Sequence, residues 1–266
     1  MRMTLIGFVL SLIPQSDRAW VEPMKKVHAK FKGEKGTLAC FGDSITVSMA
    51  FWSSLKGTKK NMTPDSEAAF KLVDGYMKPE CWNKWKGPQF GNEGRMTIRW
   101  AHENVETWLQ KHNPETAIIM FGTNDLHGVP LDEYEKKTRE VVQKCLDNGT
   151  VVILTAIPPR HGMLEKSRQY AEAAGRVAKE LNVPLCDYFG ECLKRRPDDW
   201  DGADPKFKEY KGYDVPTLIA QDGVHPSNPK QFQGDFSEEG LRSNGFLLRS
   251  YLSMVSYADV IKSVYK

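Results

Sequence analysis

The apolar run Thr37 to Phe41 delivers the chain into Gly42-Asp43-Ser44, and 178 residues after Ser44 begins the segment Asp222-Gly223-Val224-His225. A serine hydroxyl attacks a carbonyl carbon only when a neighbouring base takes its proton. An imidazole, which ordinarily titrates near neutrality, is the side chain best suited to that task. A carboxylate three residues earlier can hold the ring in the useful tautomer and stabilise the imidazolium that forms. Ser44, His225 and Asp222 are therefore the candidate nucleophile, base and orienting acid of an acyl transfer. Alone, Gly-Asp-Ser reads equally well as a turn that caps a helix, since Ser and Asp are both common there.

Acyl transfer also needs donors for the oxyanion of its tetrahedral intermediate. In Gly122-Thr123-Asn124-Asp125 the Asn124 amide, beside backbone N–H groups, is a candidate. The competing reading is that Asn124-Asp125 end a strand and cap a helix beginning near Leu131. Gly94, in Asn92-Glu93-Gly94, is a second candidate, because an N–H aimed at an oxyanion often needs a residue that permits close approach or positive φ.

The elements that must position these residues alternate along the chain. The pattern predicts a helix over 19–31, a strand over 37–41, a helix from Ser44 to about Leu55, and an irregular loop or lid over 57–88. A second strand leads to Asn92, then come a helix around Ile98 to Leu109, a strand over Ala117 to Phe121, and a helix over Leu131 to Leu146. A strand over Val151 to Ile157, a helix over 165–181, a strand over Val183 to Tyr188, an irregular stretch over 196–221 and a helix-rich tail from Ser237 complete the chain. This alternation predicts an α/β fold: a three-layer α/β/α sandwich around a flavodoxin-like parallel sheet of about five strands. Ligands of such sheets bind outside the carboxyl ends of the strands, which is where all four segments fall.

In this order the segments resemble the SGNH hydrolases, also called GDSL esterases and lipases. Phe41-Gly42-Asp43-Ser44-Ile45, Gly122-Thr123-Asn124-Asp125 and Asp222-Gly223-Val224-His225-Pro226 match three of that superfamily's blocks. The resemblance spans residues 37 to 226. It implies that Ser44 is nucleophile, His225 base and Asp222 its orienting acid, with an oxyanion hole made of the Ser44 N–H, the Gly94 N–H and the Asn124 side chain. The second block departs from the pattern: Asn92-Glu93-Gly94-Arg95-Met96-Thr97 has one glycine where Asn-x-Gly-x-x-Gly is usual. Alignment on the threonine selects Gly94, and alignment on the asparagine selects Thr97.

Composition narrows the partners. The 37 basic and 34 acidic residues are scattered and leave a formal charge of +3, too balanced for a nucleic-acid surface. Cys40, Cys81, Cys145, Cys186 and Cys192 form no C-x-x-C pair and read as buried apolar residues. His28, His102, His112, His127 and His161 show no metal-ligand spacing, so neither metal nor cofactor is expected. Met1-Arg2-Met3 followed by the apolar stretch Thr4 to Ile13 has the charge and length of a signal peptide with a poor cleavage site, so residues 1–18 are read as a signal-like or N-terminal extension, a short helix or a misassigned start being the alternative, and a secreted or periplasmic location is favoured over a cytoplasmic one. Residues 19–266 are read as one domain, and no segment reaches the length of a membrane span.

Substrate choice lies between the blocks. Trp82 and Trp85 in the first irregular stretch, Trp200, Tyr210 and Tyr213 in the second, and Trp52 and Trp100 elsewhere could stack on sugar rings or fill the core. No aliphatic run lines a groove for a long acyl chain. The expectation is an esterase removing short acyl groups, acetyl above all, from a carbohydrate. The alternatives are a lysophospholipase or thioesterase acting on longer chains, an acyltransferase, and an inactive sugar-binding module on the same fold.

Overall fold

The computed structural model describes residues 18–266; the signal-like reading of the N-terminus falls on residues outside these. Four parallel strands, β1 (Leu38–Gly42), β2 (Thr116–Met120), β3 (Val151–Thr155) and β4 (Leu185–Cys186), lie in the order β1-β2-β3-β4. Leu38 pairs with Thr116, Gly42 with Met120, Thr116 with Val151 and Leu154 with Leu185. Every residue of β1, β2 and β3 is buried, as expected of a parallel sheet covered on both faces.

Two groups of helices cover it. α4 (Ile98–His112), α5 (Leu131–Asp147) and α6 (Leu164–Leu181) pack in succession, while α9 (Gly245–Val260) packs on α3 (Pro64–Tyr76) and, through the turn Ile261–Tyr265 that follows it, joins α1 (Val21–His28). The remaining helices, α2 (Ser44–Val47), α7 (Tyr188–Arg195) and α8 (Glu238–Ser243), are short.

Four expectations are corrected. The sheet has four strands rather than five: the segment leading to Asn92 makes only isolated bridges, parallel with Gly42 and antiparallel with Gly87. Gly87, Pro88 and Gly91 crowd that segment, with Gly87 and Gly91 at φ of 107° and 80°, which no extended strand adopts. The helix from Ser44 stops at Val47, where Ser48 turns extended and lets the adjacent Phe51 and Trp52 both enter the core.

Residues 57–88 are not a continuous loop, because they contain α3. Thr63 caps it, accepting from the Ser66 N–H at 3.2 Å, Pro64 occupies its first turn, and Asp65 and Glu67 face its positive end. Finally, β4 is reduced to two residues, since Pro184 lacks an N–H and the Asp187 side chain already accepts from the Gly190 N–H to start α7. All five cysteine thiols are buried and free.

Candidate active site

Ser44 leaves β1 through a turn that only a glycine at position 42 allows. A Cβ on Gly42 would sit 2.0 Å from Thr46 Oγ1 and 2.7 Å from the Met120 carbonyl oxygen. Asp43, fully buried, caps α2 by accepting the Ile45 N–H at 3.0 Å, so Ser44 becomes the first residue of the helix. Among the described residues its own N–H has no hydrogen-bond partner, since the neighbouring N–H groups of Ile45, Thr46 and Val47 all turn back to Asp43.

From the far end of the domain the loop 222–225 returns to the same edge. His225 Nε2 lies 2.9 Å from Ser44 Oγ, and Nδ1 lies 2.7 Å from Asp222 Oδ2. The second carboxylate oxygen of Asp222 accepts the N–H groups of Val224 and His225, both at 2.9 Å. Partial burial pushes the Asp222 carboxyl up, but the imidazole and the two N–H donors outweigh it and hold it at about 2. An ionised carboxylate at Nδ1 fixes the ring proton there, which leaves Nε2 free to accept from the serine hydroxyl. Gly223 permits the loop: its φ is 69°, and a Cβ would stand 2.5 Å from that of His161.

Asn124 follows β2. Its amide donates to Asp43 Oδ2 at 3.3 Å and to the Met96 carbonyl at 3.0 Å, so an incoming oxyanion must take over one of these bonds. Asp125 does not cap the helix after it. Its Oδ1 accepts the Ile98 N–H at 2.9 Å and caps α4, whose own N-cap Thr97 contributes no side-chain bond, whereas α5 starts on Pro130. Asn124 and Asp125 together hold the segment 96–98 against the end of β2. Burial raises the Asp43 carboxyl to about 6 and that of Asp125 to about 7, the latter also feeling the charge of Asp43.

Gly94 lies outside the left-handed region and a Cβ there would meet nothing within 4 Å. Its N–H donates to Glu93 Oε1 at 2.6 Å. The left-handed residue is Arg95, at φ 65°, while the Thr97 N–H has no hydrogen-bond partner among the described residues.

Three features line the rim: Tyr213, already a candidate by residue type, and Arg160 and His161, whose partners lie 37 to 62 residues away in the chain. His161 pairs with Asp201 at 2.6 Å and donates its N–H to the Gly223 carbonyl at 2.9 Å, which places it against the 222–225 loop. Arg160 Nη1 donates to the Thr123 carbonyl at 2.7 Å. Tyr213, 46% exposed, has its ring centroid 5.9 Å from that of His225. The other aromatics divide differently: Trp52, Trp82 and Trp200 are buried, and Trp85 stacks on Phe90. Among the described residues no group of three or more His, Cys, Asp or Glu could hold a metal ion, and no helix is long and apolar enough to cross a membrane.

Comparison with solved structures gives the same fold. A lipase/acylhydrolase from Enterococcus faecalis is 14% identical, covering 83% of this chain and 94% of its own, with TM-score 0.52. TesA is 18% identical, with coverages of 84% and 97% and TM-score 0.52. An acetylxylan esterase from Geobacillus stearothermophilus is 18% identical, with coverages of 88% and 96% and TM-score 0.47. None of the curated proteins compared with the chain matches it. The model of the GDSL-like lipase/acylhydrolase family matches residues 40–229, from inside β1 to just past His225. With that match spanning most of the molecule and the serine set at the end of β1, the chain belongs to the GDSL-like lipase/acylhydrolase family.

Proposed function

We propose that this serine ester hydrolase removes short acyl groups, acetyl above all, from a carbohydrate or similarly polar scaffold, and that residues 19–266 act as one catalytic domain. Ser44 Oγ attacks the ester carbonyl as His225 Nε2 takes its proton, and Asp222 holds the imidazolium that results. The oxyanion is met by the Ser44 N–H, by Asn124 Nδ2 as it leaves Asp43 or Met96, and by an N–H of the 94–97 segment. Collapse expels the alcohol with the proton from His225. Water, deprotonated by the same imidazole, then releases the acid from Ser44.

The observation that carries the polar-scaffold reading is the exposed Tyr213 ring beside His225, a flat face on which a sugar could stack next to the reacting ester. A neighbouring cavity of about 580 Å³ supports it. That cavity begins five residues past Ser44 and three past His225, and hydroxyl, amide and ammonium groups of Ser54, Thr58, Lys60, Asn228, Lys230 and Gln233 line it. Met49, Ala50 and Leu247 also line it, so these walls set hydrogen-bonding groups for hydroxyls beside small apolar surfaces.

Hydrolysis of p-nitrophenyl esters from acetate to laurate, by wild type and Ser44→Ala side by side, tests the reading. The expected result is a serine-dependent rate that peaks at acetate. A peak at octanoate or beyond overturns the short-acyl reading, and equal rates in the two proteins overturn Ser44 as nucleophile.

A further inference from the structure

Two cations lie beneath the nucleophile's turn. α2 is four residues long, so its last carbonyls have no helical partner. Arg249 of α9, fully buried, donates Nη1 to the Ile45 carbonyl at 2.8 Å and Nη2 to Thr46 Oγ1 at 2.9 Å. Lys86, from the loop before the second block, donates Nζ to the Thr46 carbonyl at 2.8 Å and to that of Ser48 at 3.4 Å. Phe51 lies between them, its ring centroid 3.7 Å from Arg249 Cζ and 5.5 Å from Lys86 Nζ.

None of these bonds reaches a carboxylate, and Arg249 Nε has no partner among the described residues. Withdrawing Arg249 wholly and Lys86 in part from water without a direct counter-ion carries a desolvation cost. Charge-assisted bonds to the exposed carbonyl ends of α2 and the Phe51 face offset that cost. All of these offsetting contacts converge on residues 45 to 51. Displacing a nucleophile by a fraction of an ångström costs rate rather than fold, so a clamp there bears on the reaction.

We propose that Lys86 and Arg249 are positioning residues that clamp the 44–48 turn from below and keep Ser44 Oγ and its N–H in register with His225 and the carbonyl under attack. The proposal rests on Ser44 being the nucleophile. Arg249 keeps its charge throughout, although burial lowers its pKa against the opposing pull of Asp43. Lys86 does not: burial first, and the charge of Arg249 after it, bring the ammonium down to about 8, with Cys40 opposing. The groups that face Lys86 are the Cys40 thiol of β1, which burial raises, and Arg249 of α9; Asp43, facing Arg249, is already ionised in that range. The charge-assisted part of the clamp is therefore complete below pH 8 and fades above it.

The test is kcat and KM for p-nitrophenyl acetate between pH 6.5 and 9.5 in wild type, Lys86→Met, Lys86→Arg and Ser44→Ala, with the thermal midpoint of each. Wild-type kcat is expected to fall above about pH 8. Lys86→Arg should retain the neutral-pH kcat and lose that fall. Lys86→Met should lower kcat about tenfold at every pH, with KM within about twofold, the signature of a misplaced nucleophile. Wild-type kcat in a folded Lys86→Met overturns the proposal, as does an alkaline fall that persists unchanged in Lys86→Arg; the second comparison decides alone if Lys86→Met does not fold. An inactive Ser44→Ala beside a wild-type-like Lys86→Met sinks the clamp only, whereas an active Ser44→Ala sinks the catalytic reading beneath it.

Discussion

Ser44 Oγ, His225 Nε2 and Asp222 form one line of hydrogen bonds at 2.9 and 2.7 Å, yet the proposed donors for an oxyanion are not all free. Both hydrogens of the Asn124 amide are directed at protein oxygens, one at only 3.3 Å from Asp43, and that longer bond is the one an oxyanion most readily replaces. Asn124→Ala should therefore lower kcat by about 100- to 1,000-fold, the usual effect of losing one such donor, with little change in KM. Gly94 separates two ways of building the second block. Its side-chain direction is open, so Gly94→Ala should keep its fold and, if glycine has no special duty there, kcat within about twofold of wild type. A loss beyond tenfold, measured on the same acetate ester, would restore Gly94 over Thr97 as the source of the N–H.

At the scale of elements, the site is held by ends rather than by middles. The end of β1 supplies the Ser44 turn, the end of β2 supplies Asn124 and the carboxylate that caps α4, and β3 leads to the Arg160-His161 rim. α3 shows how a cap creates structure in a stretch punctuated by Gly and Pro. Thr63→Ala should cost about 1 kcal/mol through loss of the bond to the Ser66 N–H, read as a fall of roughly 2 °C in thermal midpoint with kcat unchanged. The cap signature Thr63-Pro64-Asp65 stood in the sequence, but glycines and prolines spaced through 57–88 masked the short helix it starts. The second-block strand failed for the opposite reason: glycines fixed in left-handed geometry reduced it to isolated bridges at Asn92.

For the whole molecule, two buried carboxylates set a pH dependence of stability. Burial raises Asp125 to about 7 and Asp43 to about 6, well above the ordinary range near 4, so the folded state binds protons that the unfolded state releases. Their effect is most favourable below pH 4 and is lost as pH rises through 6 and 7; Asp222, held at about 2, contributes the opposite way, with stability present above pH 4 and lost as pH falls toward 2. Asp125→Asn keeps an oxygen for the Ile98 N–H and removes the charge. Its thermal midpoint should gain on that of wild type as pH is raised from 5 to 8, and parallel curves would contradict the raised carboxyl. The sequence by itself determined the α/β class and the candidates Ser44, Asn124, Asp222 and His225, because short blocks with fixed internal spacing carry their own local geometry. It also placed β1, β2 and β3 to within a residue of their starts, since a buried parallel strand is a continuous apolar run. Only the tertiary structure decided which aromatic rings line the site, that Asp125 caps the helix before it, and that Lys86 and Arg249 both reach the turn carrying Ser44. The bonds of Asp125, Lys86 and Arg249 join residues 27 to more than 200 positions apart, and no local pattern encodes a pairing that exists only once the chain has closed on itself.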